Sequence, residues 1–237
     1  MIMDPVPRVT CFQHIECEGP GSLLEVLRSR NVEVDILKPF QGDPIPGHLG
    51  DGLVVLGGPM GVYEEKTFPW MTGELNAIRK CLDLSLPVLG ICLGSQMLAH
   101  VAGGQVFRGA LPEVGWYPVR WTAEGRLDPL FLELPASFEA FHWHGDTFTL
   151  PPGAVRLAGS ERYDNQVFKL GRNAYGLQCH LEVTEKMVQD WAHRYAKELA
   201  PQGGPIRPER ILGDLGAKAR TLEALAEPVF LRFASLL

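Results

Sequence analysis

Leu86–Ala102 reads LPVLGICLGSQMLAHVA, and the fold follows from how this stretch divides. Leu86–Ile91 is a short apolar run of the kind that forms a buried strand, and Ser95–Ala102 is an uninterrupted run of good helix formers. Between them, Gly90-Ile91-Cys92-Leu93-Gly94 has the G-x-S-x-G spacing of a nucleophile elbow, with cysteine in place of serine. A residue on so sharp a strand-to-helix turn is strained, and small neighbours let the backbone fold tightly around it. The turn also puts the Cys92 sulfur at a helix N-terminus, where the dipole favours thiolate over thiol. A glycine-flanked cysteine also serves as a small buried hydrophobe, so the elbow needs partners elsewhere in the chain.

The partners stand 88 residues on. Ala174–Leu181 (AYGLQCHL) reads as another strand and leads into Gln178-Cys179-His180-Leu181-Glu182. On a strand, side chains two apart share a face, so Glu182 is placed to orient the His180 imidazole while its other nitrogen faces a nucleophile. That is the division of labour in nucleophile–base–orienter triads.

The G-I-C-L-G-S-Q run at 90–96, the Q-C-H-L-E run at 178–182, and Gly57-Gly58-Pro59 after a hydrophobic strand resemble the class I glutamine amidotransferases. Within that family the chain is most similar to the amidotransferase domain of GMP synthetase and its free-standing relatives, from about Val9 to Ala200. It departs from the usual pattern at Cys179, where an aromatic is common, and at Leu181, where proline is common; neither carries chemistry. The resemblance implies Cys92, His180 and Glu182 as the catalytic groups. It implies oxyanion donors in the backbone amides of Gly58 and Leu93, on a turn that begins at Gly57. It also implies substrate contacts from Gly57, from Gln96 and from the backbone of the Phe141–Asp146 loop, with Trp143 where serine stands in relatives and His144 beside it. No cofactor is called for. A second acid/base site at the His142/His144 pair is set against a structural or substrate-positioning role, which is preferred. A zinc site joining Cys179 to these histidines is disfavoured, because adjacent Cys179 and His180 point to opposite strand faces; no metal is expected.

The remainder of the chain fits an α/β protein: an open, mostly parallel sheet flanked by helices, with an added antiparallel region (a flavodoxin-like amidotransferase fold). Arg8–Ile15, Val32–Leu37, Gly52–Leu56 and Leu86–Ile91 read as strands, and Gly21–Arg30 and Met71–Leu84 as helices between them, with Ser22 as the N-cap of the first. In such sheets reactive groups gather at the carboxyl ends of the strands, where Cys92 and Gly57-Gly58 both fall. Gln105–Thr122 and Ser137–Phe148 look like short antiparallel strands, and helical periodicity is absent until Thr184–Leu199, a helix capped by Thr184. Residues 1–200 are expected to form the amidotransferase domain, Pro201–Pro208 a linker, and the rest of 201–237 a helical extension. The apolar positions of that extension either pack on their own domain or form a contact between copies in a homo-oligomer.

Composition narrows the classes. Hydrophobic residues make up 46% and charged residues 21%, as in ordinary globular proteins. The net charge of −6 and the scattering of the 22 basic residues leave no footprint for nucleic acid. There is no apolar run of membrane-spanning length and no basic-then-apolar leader. Five cysteines without C-x-x-C spacing suit a reduced, cytoplasmic setting.

Three functions remain open. One is a free-standing glutaminase that releases ammonia from glutamine for a separate synthase subunit. Another is a γ-glutamyl peptide or amide hydrolase using the same thioester chemistry. The third is a non-catalytic regulatory subunit on the same fold, against which the intact Cys92, His180 and Glu182 speak. Cysteine variants of α/β-hydrolases are excluded by chain order, because their acid precedes the histidine.

Overall fold

The computed structural model describes residues 6–195 and 211–237. Its centre is a nine-stranded sheet in the order β2-β1-β3-β4-β9-β8-β7-β5-β6. β1 (Arg8–Phe12), β2 (Glu33–Leu37), β3 (Gly52–Val55), β4 (Val88–Ile91) and β9 (Ala174–Leu177) run parallel. β8 (Val167–Leu170), β7 (Ala154–Gly159), β5 (Val106–Trp121) and β6 (Ser137–Phe148) continue the sheet in antiparallel steps.

The central parallel strands β3, β4 and β9 are buried along their whole length because both faces are covered, whereas the edge strand β2 leaves Glu33 and Asp35 exposed. Along β3 and just beyond it, Leu53 and Val55 enter one core, while Val54 and Leu56 enter the other. The first core holds α2 (Trp70–Asp83) and α3 (Leu93–Val101) against the sheet through Met71, Ile78, Met97 and Leu98. The opposite core holds α1 (Gly21–Ser29), α5 (Glu185–Arg194) and α6 (Leu215–Ala234) through Leu23, Leu27, Trp191, Leu222 and Phe230. The α6 helix packs on α1 and α5, with Leu222, Phe230 and Phe233 fully buried. Those positions pack on their own domain, while Leu212, Leu225 and Leu231 stay partly exposed.

Several local expectations change. α1 starts after Pro20 with Gly21 at φ +49°, and no side chain caps it. The Ser22 hydroxyl instead donates to the carbonyl of Glu182 at 3.2 Å. Thr184 does cap α5, accepting from the Met187 amide at 3.3 Å. The antiparallel strands are long, 16 residues in β5 and 12 in β6, and a bulge between Arg108 and Glu113 re-aims β5. The short helix α4 (Ala123–Leu127) lies in the region expected to be free of helix. Finally, β9 stops at Leu177, so His180 and Glu182 are not on a strand; a single antiparallel bridge ties His180 to Phe141. The end of the 184–199 helix and the Pro201–Pro208 linker lie outside the described residues.

Candidate active site

Cys92 stands between β4 and α3 with φ 51° and ψ −107°, a backbone conformation that costs a non-glycine residue energy and persists only where its surroundings enforce it. The glycines around it are required by space. A Cβ on Gly90 would sit 2.5 Å from the Gly94 carbonyl oxygen, and one on Gly94 would overlap the carbonyl of Val55. The Gly94 amide donates to Leu56 at 3.1 Å, tying the turn to β3.

Chain crossing brings the other groups to this point. His180 Nδ1 lies 2.7 Å from Glu182 Oε1, and both residues are buried. The backbone amide of His180 donates to Phe141 at 2.8 Å, and Trp191 packs edge-on against the ring at 5.0 Å. Among the described residues, His180 Nε2 has no hydrogen-bond partner. A Cβ on Gly57 would lie 3.2 Å from His180 Cε1 and 3.5 Å from Cys92 Cβ, so the two side chains meet over this glycine. Burial pushes the imidazole toward neutrality, but Glu182 and the charge of Cys92 outweigh it and raise His180 well above its ordinary range. Burial raises the thiols of Cys11 and Cys179 strongly and that of Cys81 to about 11, so these three remain protonated.

Cys92 opens onto a cavity of about 370 Å³ whose walls include Gly58, Gln96, Arg108, Trp143, His144 and Asp146. Gln96 is buried rather than solvated: its amide donates to Gln178 Oε1 at 3.1 Å, and Gln178 in turn reaches the Cys92 sulfur at 3.8 Å. The Trp143 carbonyl lies 3.9 Å from the same sulfur, while its ring packs on Tyr195 and Trp191. Gly58 adjoins Leu93, and neither backbone N–H donates to another described residue. Asp146 is held at the rim by Tyr63, whose hydroxyl donates at 2.8 Å, and by Arg108 at 3.6 Å.

His142 and His144 converge on Glu113 rather than on Cys179. Glu113 Oε2 is 3.0 Å from His144 Nε2 and 3.4 Å from His142 Nδ1; Ser160 and Gln166 donate to the same carboxylate. Burial alone would raise the Glu113 pKa, but these bonds hold it far below the usual carboxylate range. Glu113, His142 and His144 are spaced as a cation site could be, yet the carboxylate is already engaged by protein donors. The stretch read as a loop in the sequence is thus part of strand β6, paired with β5, and the cluster reads as a buried scaffold beside Trp143.

Besides Glu113, three further buried groups went unanticipated in the sequence. His14, Glu18 and Glu74 surround the Gly57 turn, with a Cβ on Gly57 falling 2.6 Å from Glu18 Oε2. Burial lifts Glu18 to about 7. All three lie far in sequence from the motifs they serve. Asp146 and Gln178, by contrast, stood inside runs already singled out.

The chain matches the model of the glutamine amidotransferase class-I family over residues 20–190. It is 31% identical to the glutamine amidotransferase-like protein YfeJ of Salmonella typhimurium over 202 residues, covering 83% of this chain and 84% of that one. It is 35% identical over 134 residues to the GMP synthase of Porphyromonas gingivalis, a match covering 56% of this chain but only 25% of that protein. In structure it superposes on a glutamine amidotransferase from Thermotoga maritima with TM-score 0.88 and 36% identity, covering 98% of this chain and 99% of that one. A second from Methylobacillus flagellatus gives 0.91 and 32%, covering 98% and 96%. The chain belongs to the class I glutamine amidotransferases.

Proposed function

We propose that this protein hydrolyses the γ-amide of L-glutamine through a Cys92 thioester and releases ammonia, with a separate synthase subunit as the acceptor's site. One observation carries the reading: a strained cysteine at a helix N-terminus faces an imidazole whose far nitrogen is held by a buried carboxylate at 2.7 Å.

The steps follow from the placement of the groups. The Cys92 thiolate adds to the γ-carbonyl carbon, and the carbonyl π-electrons move onto oxygen, which the Gly58 and Leu93 amides receive. As the tetrahedral adduct collapses, the C–N bond breaks and the leaving nitrogen takes a proton from imidazolium His180. Water then loses a proton to neutral His180 and attacks the thioester; the C–S bond breaks, giving glutamate and restoring the thiolate–imidazolium pair. Gln96, Trp143, His144 and Asp146 line the space for the amino-acid end of the substrate.

The test is release of ammonia and glutamate from L-glutamine beside a panel of γ-glutamyl dipeptides, with Cys92→Ala as blank. Cys92-dependent preference for glutamine supports the glutaminase. Brisk turnover of a dipeptide with poor glutamine hydrolysis overturns it in favour of a γ-glutamyl hydrolase.

A further inference from the structure

The Gly57–Gly58 peptide is a rigid trans unit, so its carbonyl and its N–H point in opposite directions. If the N–H is to face a substrate oxygen, something must hold the carbonyl on the other side. A peptide between two glycines has no Cβ to bias it and turns over readily. His14 Nδ1 meets the Gly57 oxygen at 2.8 Å, and His14 Nε2 meets Glu74 Oε2 at 2.7 Å. We infer that His14, backed by Glu74, is a positioning residue that locks the Gly57–Gly58 peptide with the Gly58 N–H aimed into the oxyanion site. The inference rests on the reading of Gly58 as an oxyanion donor.

The chemistry leaves the roles of the atoms unambiguous. A carbonyl oxygen only accepts, so Nδ1 carries a proton and donates to Gly57. With Nδ1 protonated, the contact at Nε2 needs a second proton, which His14 and Glu74 share as imidazolium with carboxylate or as imidazole with carboxylic acid. Whether the shared proton rests on Nε2 or on Glu74, Nδ1 remains the donor. The ring is also fixed mechanically: Trp70 stacks on it at 5.4 Å with 20° between planes, and a Cβ on Gly58 would lie 2.9 Å from His14 Cβ.

Stability alone does not account for the pair. His14 and Glu74 are fully buried, and Glu74 Oε1 has no partner among the described residues. Apolar residues of similar volume would fill such a site at no greater cost. The three elements involved, the ends of β1 and β3 and the N-terminal half of α2, meet at a peptide on whose orientation the proposed oxyanion site depends. Two carboxylate–imidazole pairs, each 2.7 Å long, thus meet the Gly57 turn: His180–Glu182 beside its Cα and His14–Glu74 at its carbonyl.

The experiment compares wild type with His14→Leu, His14→Asn and Glu74→Gln on the best γ-glutamyl substrate, alongside alkylation of Cys92 by iodoacetamide. Alkylation is a direct displacement that forms no oxyanion, so it reports the nucleophile without the peptide. His14→Leu should lower kcat by about 10²-fold, the scale of losing one oxyanion donor, with KM and alkylation rate changed by less than about threefold. Asparagine can present a donor near the Nδ1 position, so His14→Asn should recover about tenfold of that loss. Glu74→Gln keeps shape and should lower kcat by about tenfold, again without slowing alkylation; it serves if the leucine variant does not fold. Retention of kcat within about threefold in Glu74→Gln and His14→Leu, or a parallel fall of turnover and alkylation, overturns the inference. Absence of Cys92-dependent turnover in wild type instead strikes the underlying glutaminase reading and takes this one with it.

Discussion

Glu182 Oε1 lies 2.7 Å from His180 Nδ1, in a pair buried beneath Trp191 and held off the sheet by a single bridge to Phe141. The carboxylate keeps the ring in one tautomer and keeps it basic despite burial. Replacing Glu182 by Gln leaves the shape but removes the charge. On the proposed role of Glu182, we expect kcat to fall on the order of 10²- to 10⁴-fold, as when the orienting carboxylate of a triad is neutralised. Because His180 is raised by this charge, the variant loses its imidazolium at lower pH, and the alkaline limb of the kcat profile should move down. Rates across pH for both proteins check this; an unmoved limb contradicts it.

The elbow glycines are a matter of space. Gly94→Ala drives a Cβ into the Val55 carbonyl, which as backbone cannot step aside. A cost of about 1–3 kcal/mol is expected, read as a fall in Tm together with loss of activity. Gly47→Ala, which meets nothing within 4 Å, should leave both unchanged. Equal behaviour of the two variants would contradict the packing account.

Glu18 supplies a pH signature. Burial raises it from 4.5 to about 7, so the folded chain binds a proton there that the unfolded chain has released. Where the native state holds more protons, stability falls as pH rises. The loss therefore accrues between about pH 4.5 and 7 and is complete above. Glu18→Gln removes it, so its stability relative to wild type should improve from pH 5 to pH 7.5. Chemical denaturation at the two pH values measures the difference; a constant offset would contradict the assignment.

The α6 helix closes the core on the α1 side. Phe233 is fully buried there, and Phe233→Ala should cost about 3–5 kcal/mol, a drop in Tm of roughly 10 °C for a chain of this length. Thermal unfolding decides. A shift within error would mean that α6 is not integral to that core.

What the sequence disclosed was what lies close along the chain. The Cys92 elbow, its glycines and the parallel strands were legible because turn geometry and double-sided burial leave local marks. His180 and Glu182 were legible as a pair for the wrong reason. They meet not by sharing a strand face but because the chain leaves β9 at Leu177 and turns toward β6. Ser22 looked like a helix cap, yet its hydroxyl serves the carbonyl of Glu182, a partner 160 residues away. His14 and Glu74, 60 residues apart, carry no spacing signal at all. Likewise the Glu113 carboxylate that gathers His142 and His144 is placed by a β-bulge, and nothing in its neighbourhood announces it.

The most direct test of the central claim is rapid quenching of the enzyme with glutamine into acid, followed by mass analysis of the peptide containing Cys92. A γ-glutamyl adduct on Cys92 that forms and decays at the rate of turnover, and is absent in Cys92→Ala, is the expected result. Glutamine hydrolysis that persists in Cys92→Ala, or proceeds in wild type with no acyl-enzyme on that cysteine, would contradict it.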